Sequence, residues 1–392
     1  MDYLVITDLF LLLFLGLADN QMIPALLPVL GGSLHKSVQV IGLIVVFYSL
    51  AAALAAFLIG SLSDHYGRRP FLQLGALMFA AASLAAALSD SFVTLSLARA
   101  LTGLAAGALS TCSIAFAGDW FAYSVRGRAI GWISSAYFVA PLSVPLAGLI
   151  ADRLGWHRVF LCLALLALVV AAVSLSLPKD HVTPQPSAKK LRNTLRAFRS
   201  FLGRRDTSAM LGIAFLVSGG LVGFITYIGV WLHNRFRLTS TTIGLVFMLG
   251  GLVAVVSAPV GGWAADRWGK RNISIASNLL LAMSVVFMPF LPWGAGLLVV
   301  FAAVSLGAAF RQGPLTALMT EMVPQAQRGS FVALRNICSQ LGIGAAVFAG
   351  GALFERYGYV AVTSLSAVMT ALVAILLSTH ITEPVPSMAT DG

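Results

Sequence analysis

Apolar runs of about 20 residues, each long enough to cross a lipid bilayer, recur along the whole chain. Short polar segments separate most of these runs, so the pattern predicts an all-α integral membrane protein. We predict twelve transmembrane helices, over residues 9–30, 39–61, 71–88, 92–117, 129–150, 158–177, 208–232, 242–262, 273–292, 295–320, 330–352 and 358–380.

One polar loop pattern occurs twice. Its order is Gly, three residues, Asp, two residues, Gly and two cations, and it runs from Gly60 to Arg69 and again from Gly262 to Arg271. The copies are 202 residues apart (262 − 60) and occupy matching places after the second and eighth runs. Such a repeat indicates an internal duplication, and therefore two pseudo-symmetric six-helix bundles.

A long polar segment divides the two halves. We predict a first bundle over residues 1–177, a cytoplasmic linker over 178–207 and a second bundle over 208–392. Within the linker, Leu191, Leu195, Phe198 and Leu202 recur at spacings of four, three and four, between basic residues. This spacing predicts a basic amphipathic helix on the inner membrane surface, in contact with anionic lipid.

Composition and charge support a membrane protein. Hydrophobic residues make up 59% of the chain and charged residues 10%, with a formal net charge of +11. The positions of the charges argue against nucleic acid as a partner, because 17 of the 25 Lys and Arg fall on one predicted side, six on the other and two within spans. This asymmetry predicts a multi-pass membrane protein with both termini in the cytoplasm.

Asp19 lies near the middle of the first predicted helix, ahead of Pro24 and Pro28, which are expected to let the outer half of the helix bend. An ionisable side chain at this depth is costly unless it faces a cavity or a partner, so Asp19 is a functional candidate. A carboxyl group in such a site suits the loading and release of protons. The alternative is a structural hydrogen bond or ion pair between helices.

Arg99 lies in the fourth predicted helix, before Gly103 and Gly107. Arginine keeps its charge in apolar surroundings and has to find an acceptor. Because Asp19 is the acidic residue placed deep in a span, we predict an Asp19–Arg99 interaction, direct or through water. In the alternative, Arg99 extends to the outer membrane interface.

Arg311 is predicted to lie deep in the tenth helix, followed by Gly313 and Pro314. A Gly-Pro pair can interrupt a helix, and interruptions at membrane depth tend to line cavities. We therefore expect Arg311 to meet an anionic group of a substrate, or Asp19 across the cavity. The alternative is a structural contact with backbone carbonyls.

The central cavity is expected to have few polar side chains, which favours an apolar or amphipathic compound over a sugar. The predicted cavity residues are Asn20, Gln21, Tyr48, Tyr137, Tyr227, Trp231, Arg311, Gln312, Asn336 and Gln340. The sequence has no catalytic constellation, metal-ligand cluster or phosphate-binding loop, so neither an enzyme nor a cofactor is expected.

The repeated loops are expected to act in conformational change. Their carboxylates follow helix ends, where they can accept backbone N–H bonds or pair with nearby cations. Individual surface pairs are weak, which suits contacts that break and re-form. The predicted gating residues are Gly60, Asp64, Gly67, Arg68, Arg69, Asp119, Arg128, Asp266, Lys270 and Arg271. In the alternative, these charges only set the membrane topology.

These motifs resemble those of a known family. The two loops resemble the signature loop of the major facilitator superfamily between helices two and three, and its weaker copy between helices eight and nine. Leu97 to Gly107 resembles the fourth-helix motif of the superfamily, and Asp19 to Pro28 resembles the first-helix pattern of drug:proton antiporters. The fifth helix and the following Asp152 to Trp156 are similar to arabinose-efflux-type permeases of the same group.

The resemblance implies a proton-coupled, alternating-access carrier, in which Asp64 and Arg68 gate, Asp119 is their partner and Arg99 is linked to the proton. We expect an antiporter of the cell inner membrane that exports small apolar or amphipathic compounds and takes protons through Asp19. Its expected partners are a small-molecule substrate, protons and membrane lipids, and the expected state is a monomer. The alternatives are proton-coupled uptake or exchange of a small anionic metabolite, and a lipid flippase.

Overall fold

The computed structural model describes residues 2–179, 196–324 and 328–381. It contains twelve helices that are long and apolar enough to cross a membrane, as the hydropathy pattern predicts. The first six are α1 (Tyr3–Ser33), α2 (Val38–Tyr66), α3 (Arg69–Ala87), α4 (Phe92–Trp120), α5 (Val125–Leu154) and α6 (Trp156–Val173). The described ranges contain no β-strand.

The second six helices repeat this arrangement. They are α7 (Arg205–Phe236), α8 (Ser240–Trp268), α9 (Lys270–Phe287), α10 (Ala295–Glu321), α11 (Arg328–Tyr357) and α12 (Tyr359–His380). Helices α1–α6 form the first bundle and α7–α12 the second, which confirms the predicted two-bundle fold.

Prolines have different effects in different helices. The span α5 is interrupted, with regular α-helix over Tyr123–Ser134 and Val144–Leu154 and a 3₁₀ turn over Ala140–Ser143 between them. This turn contains Pro141, which lacks an N–H for the helical ladder. By contrast, α10 continues through Gly313 and Pro314, so the expected interruption beside Arg311 is not present.

The two bundles share one apolar core at one end of the helices. A single cluster of buried side chains there includes Leu26 and Phe160 of the first bundle together with Ile228 and Phe247 of the second. These helix ends are joined by residues 34–37, 155, 237–239 and 358, and we call this end the closed face.

At the opposite end, which carries the loops at Gly67 and Gly269 and is called the motif face, each bundle has its own apolar core. The second half of α5 packs on α8, whereas no comparable packing joins its Tyr123–Ser134 segment to the second bundle among the described residues. The bundles are therefore joined at the closed face and diverge toward the motif face.

The linker is described only in part, because residues 180–195 of the predicted amphipathic helix lie outside the described residues. Residues 196–203 form a short helix whose Phe198 and Phe201 are buried. The Phe198 ring lies 6.2 Å from Phe57 of α2, and the Phe201 ring lies 5.4 Å from Phe331 of α11. In this segment the apolar side chains therefore pack against both bundles, while Leu202 is exposed.

Candidate functional site

Asp19 and Arg99 form a fully buried ion pair between α1 and α4. The Arg99 Nη1 atom donates to Asp19 Oδ1 at 2.6 Å, and the side chains are 1% and 0% exposed, respectively. The predicted direct contact is therefore present, and Arg99 does not extend to the membrane surface. The pair is joined by one hydrogen bond only, because Asp19 Oδ2 and Arg99 Nε are buried without a hydrogen-bond partner.

Aromatic rings complete the surroundings of Arg99. Its guanidinium carbon lies 4.8 Å from the centre of the Tyr48 ring and 5.9 Å from that of Phe160. Both distances are within the range of cation–π attraction, which supports a cation that is removed from water. The Tyr48 hydroxyl donates to the Gly16 carbonyl at 3.3 Å, which connects α2 to α1.

Gly103 explains how Tyr48 comes to lie beside Arg99. A β-carbon at Gly103 would lie 2.2 Å from the carbonyl oxygen of Tyr48, so α4 and α2 approach each other at a distance that only glycine permits. The small residue at this motif position therefore brings the Tyr48 ring to the ion pair.

Arg311 is also buried, but its partners are neutral. Its Nη1 donates to Asn278 Oδ1 of α9 at 2.7 Å, and its Nη2 donates to the Val217 carbonyl of α7 at 3.2 Å. Among the described residues it makes no ion pair. This geometry matches the carbonyl-contact alternative, and a role toward substrate stays a prediction. Asn278 was not predicted, because a lone Asn in an apolar run gives no signal of its partner.

The other predicted cavity residues fall into two groups. Tyr227 is buried at the closed face, where its hydroxyl donates to the Val347 carbonyl at 2.7 Å, and Trp231 stacks on Tyr359 with ring centres 4.9 Å apart. A cavity role for these two side chains would need a different conformation. Solvent-accessible surface remains on the second group, which comprises Asn20, Gln21, Tyr137, Gln312, Asn336 and Gln340.

Arg335 lies at a different place in the structure from the one that the charge count assigned to it. The charge count placed it with the cations at the inner ends of the spans, whereas the structure places it within α11, partly buried. Its Nη2 donates to Asn336 Oδ1 at 3.0 Å, and its Nε is buried without a partner.

The gating residues at the motif face make matching ion pairs in the two bundles. Arg68 Nε donates to Asp119 at 2.6 Å, and Lys270 Nζ donates to Glu321 at 2.5 Å. Each residue of the second pair lies 202 positions after its counterpart (270 − 68 and 321 − 119). The contact between Arg68 and Asp119 was predicted, whereas Glu321 was missed. The duplication therefore extends from the loop motif to its partners.

The second cations of the two loops also match. Arg69 Nη2 donates to the Leu175 carbonyl and Arg271 Nε to the Leu377 carbonyl, both at 2.9 Å. Of the other predicted gating residues, Arg128 and Asp266 are exposed, Gly67 has a φ of 89° that suits its tight turn, and Gly60 lies in the last turns of α2. The side chain of Asp64 lies outside the described part of the structure.

Two carboxylates that sequence reasoning missed join the bundles at the closed face. Asp152 at the end of α5 accepts N–H bonds from Ser240 at 3.0 Å and Thr241 at 2.8 Å, at the start of α8. Glu355 near the end of α11 accepts the N–H of Gln39 at 2.7 Å, at the start of α2. In each case a carboxylate of one bundle caps the positive end of a helix of the other bundle.

These two caps are also copies of each other. The order Gly, three residues, acidic residue, Arg, one residue, Gly starts at Gly148 and again at Gly351, 203 residues later (351 − 148). A search for further repeats within one residue of the loop-motif spacing would have found this signal. The carboxylate caps at the closed face therefore join the two bundles, whereas the ion pairs at the motif face each lie within one bundle.

Comparison with known proteins identifies the family. A family model described as Major Facilitator Superfamily matches residues 9–294 and 231–391. The chain belongs to the Major Facilitator Superfamily. It is therefore a multi-pass membrane protein of a family of transporters for small molecules.

The relatives that the chain matches are similar at low identity. The uncharacterized MFS-type transporter YwfA of Bacillus subtilis is 26% identical, over 92% of this chain and 87% of that protein. The tetracycline resistance protein, class C, of Escherichia coli is 27% identical, over 85% of this chain and 88% of that protein. The crystal structure of a D-xylose-proton symporter matches with a TM-score of 0.80 at 15% identity, over 97% of this chain and 98% of the other, which supports the fold alone.

Proposed function

We propose that this chain is a proton-coupled antiporter that exports small apolar or amphipathic compounds by alternating access. One observation carries the proposal, the fully buried Asp19–Arg99 pair between α1 and α4. A buried pair contributes little net stability, whereas removing one partner costs about 3–5 kcal/mol, because a charge is left uncompensated. A pair of this kind at mid-membrane depth is typical of a proton relay.

The geometry suggests how a proton would act. Asp19 Oδ2 has no hydrogen-bond partner, so a proton can bind there without displacing a donor. Protonation removes the negative charge that balances Arg99, and the guanidinium then has to find another acceptor. Because α1 also packs against α7 and α8, a change at Asp19 reaches the interface between the bundles. Proton binding and the movement of the bundles are coupled in this way.

In the proposed cycle, the substrate site opens alternately at the motif face and at the closed face. In the proposed orientation the motif face is cytoplasmic, as the distribution of Lys and Arg suggests. The structure then corresponds to the state that receives substrate from the cytoplasm. Export requires the caps at Asp152 and Glu355 to break while the bundles close at the motif face. The tetracycline resistance relative supports an amphipathic cargo for this chain.

The experiment is transport into everted membrane vesicles with an imposed pH gradient, acid inside. Tetracycline, ethidium and 2-naphthoate are offered to vesicles with the wild-type chain, Asp19→Asn or Asp90→Asn, the last a matched control at an exposed carboxylate. We expect the gradient to drive accumulation of at least one compound by wild type and by Asp90→Asn, but not by Asp19→Asn. Gradient-driven accumulation that survives in Asp19→Asn would refute the proposed role of Asp19.

A second candidate function is the uptake or exchange of a small anion. It is favoured by Arg311 and Arg335, which make no ion pair with a carboxylate among the described residues. Flux of an anion that is lost in Arg311→Ala but retained in Asp19→Asn would support this function over proton antiport.

A further inference from the structure

Arg335 is a cation within a membrane span that makes no ion pair with a carboxylate among the described residues. It is the eighth residue of α11, so it lies about 10 Å along the helix from Arg328. A guanidinium carries five N–H donors. Within the described ranges its one hydrogen bond goes to the neutral Asn336, and its Nε is buried without a partner.

The buried arginines Arg99 and Arg311 differ from Arg335 in their partners. Arg99 is neutralised by Asp19, and Arg311 is held by an amide and a carbonyl while being 1% exposed. Arg335 keeps part of its surface accessible, so guanidinium donors other than the buried Nε are available to water or to an anion that enters between the bundles.

Tyr137 is an accessible hydroxyl donor of the first bundle. It belongs to the interrupted part of α5, in the first bundle, and its side chain is 50% exposed. Arg335 belongs to the second bundle and also keeps accessible surface. Each bundle therefore supplies one accessible polar side chain, a hydroxyl donor from the first and a cation from the second, and the bundles diverge toward the motif face.

We propose that Arg335 binds the anionic group of the transported compound, with Tyr137 on the facing wall, and that the substrates are amphipathic anions. A guanidinium binds carboxylate, sulfonate or phosphate oxygens through paired N–H donors. An apolar body attached to that group matches the amphipathic cargo of the proposed function. This inference rests on the proposed function and narrows its substrate class.

The first test measures the electrostatic effect of Arg335 at position 137. Tyr137→Cys serves as the reporter in a chain whose Cys112, Cys162 and Cys338 are replaced by Ala. Its reaction rates with anionic 2-sulfonatoethyl and cationic 2-(trimethylammonium)ethyl methanethiosulfonate are compared as a ratio. We expect Arg335→Gln to lower the anion-to-cation ratio by about fivefold. Arg335→Lys and the exposed control Arg199→Gln are expected to leave the ratio near that of the parent chain.

The second test measures binding with matched probes, 2-naphthoate and its neutral analogue 2-naphthamide, on the full chain in phosphatidylcholine nanodiscs. We expect 2-naphthoate to bind at least tenfold better than 2-naphthamide, and Arg335→Gln to remove this preference. If phosphatidylglycerol in the nanodisc competes with 2-naphthoate only when Arg335 is present, the same site also takes a lipid headgroup. A reagent ratio unaffected by Arg335→Gln, or no preference for 2-naphthoate in wild type, would overturn the proposal.

Neither measurement needs a pH gradient or turnover. Loss of gradient-driven transport in the vesicle experiment, with the anion preference intact, would therefore count against proton antiport alone. The reverse pattern would count against the anion site alone. Elution of Arg335→Gln as a single peak on size exclusion confirms that the variant is folded.

Discussion

Gly229→Ala is expected to destabilise the closed face selectively. Gly229 lies in α7 of the second bundle, and a β-carbon there would be 1.9 Å from the carbonyl oxygen of Pro24 in α1 of the first bundle. This carbonyl would normally accept the N–H of residue 28, but Pro28 has none. The oxygen is therefore free of a helical partner, and α7 approaches it at a glycine.

The free-energy cost of Gly229→Ala follows from the distance between the added β-carbon and the Pro24 carbonyl oxygen. Ordinary carbon-to-oxygen contacts in helix packing are about 3.3 Å, so the two helices have to separate by about 1.4 Å (3.3 − 1.9) to admit the methyl group. Overpacking of this kind costs about 1–3 kcal/mol when the neighbour is backbone and cannot rotate away. Separation of the bundles at the closed face relieves the clash, so the equilibrium is expected to shift about 5- to 150-fold toward a conformation open at that face.

The assay is a distance measurement by double electron–electron resonance. Spin labels are placed at the exposed closed-face positions Ser91→Cys and Ala295→Cys, one in each bundle, on the cysteine-free chain. We expect Gly229→Ala to increase the population with the longer distance. Gly212→Ala, in the same helix but with no atom within 4 Å of its added methyl group, is the matched control and is expected to match the parent chain. Equal distance distributions for Gly229→Ala and Gly212→Ala would refute the reasoning.

Three further predictions concern the caps, the buried arginine and the glycine at the ion pair. Asp152→Ala removes two backbone caps of α8 and is expected to favour opening of the closed face by about 0.5–2 kcal/mol, and Glu355→Ala is expected to act in the same direction. The same spin-label distances check both variants. An unchanged distance distribution in the double variant would contradict the proposed role of the caps. Asn278→Ala leaves Arg311 without its side-chain acceptor and is expected to lower the free energy of unfolding by about 1–3 kcal/mol. The measurement is the midpoint of thermal unfolding in detergent, which is expected to fall. An unchanged midpoint would show that the contact is dispensable. Gly103→Ala places a methyl group 2.2 Å from a backbone oxygen of α2 and is expected to lower the same midpoint by more than Gly118→Ala, in the same helix, where nothing lies within 4 Å.

Much of the fold could be predicted from hydropathy alone, because each span must be about 20 apolar residues long. The Asp19–Arg99 contact was also predictable, since two opposite charges at depth in neighbouring runs have few other partners. The predicted contact between Arg68 and Asp119 depended on family resemblance, because the two residues lie on different helix ends.

The contacts between distant residues were not predictable in the same way. Asp152 and Glu355 read as ordinary loop charges, because their partners are backbone N–H groups 88 and 316 residues away in the other bundle. Arg335 was read as a topology-setting charge, since the sequence does not show toward which helix its side chain turns. Tyr227 and Trp231 were expected to face a cavity, but the bundles meet at these residues in this conformation.

The most direct test of the account is proton release from detergent-purified protein on addition of tetracycline, ethidium or 2-naphthoate in weak buffer. A compound that binds wild type is expected to displace a proton, and Asp19→Asn is expected to bind the same compound without releasing one. Binding to wild type with no proton release, or equal release from Asp19→Asn, would contradict proton antiport through Asp19.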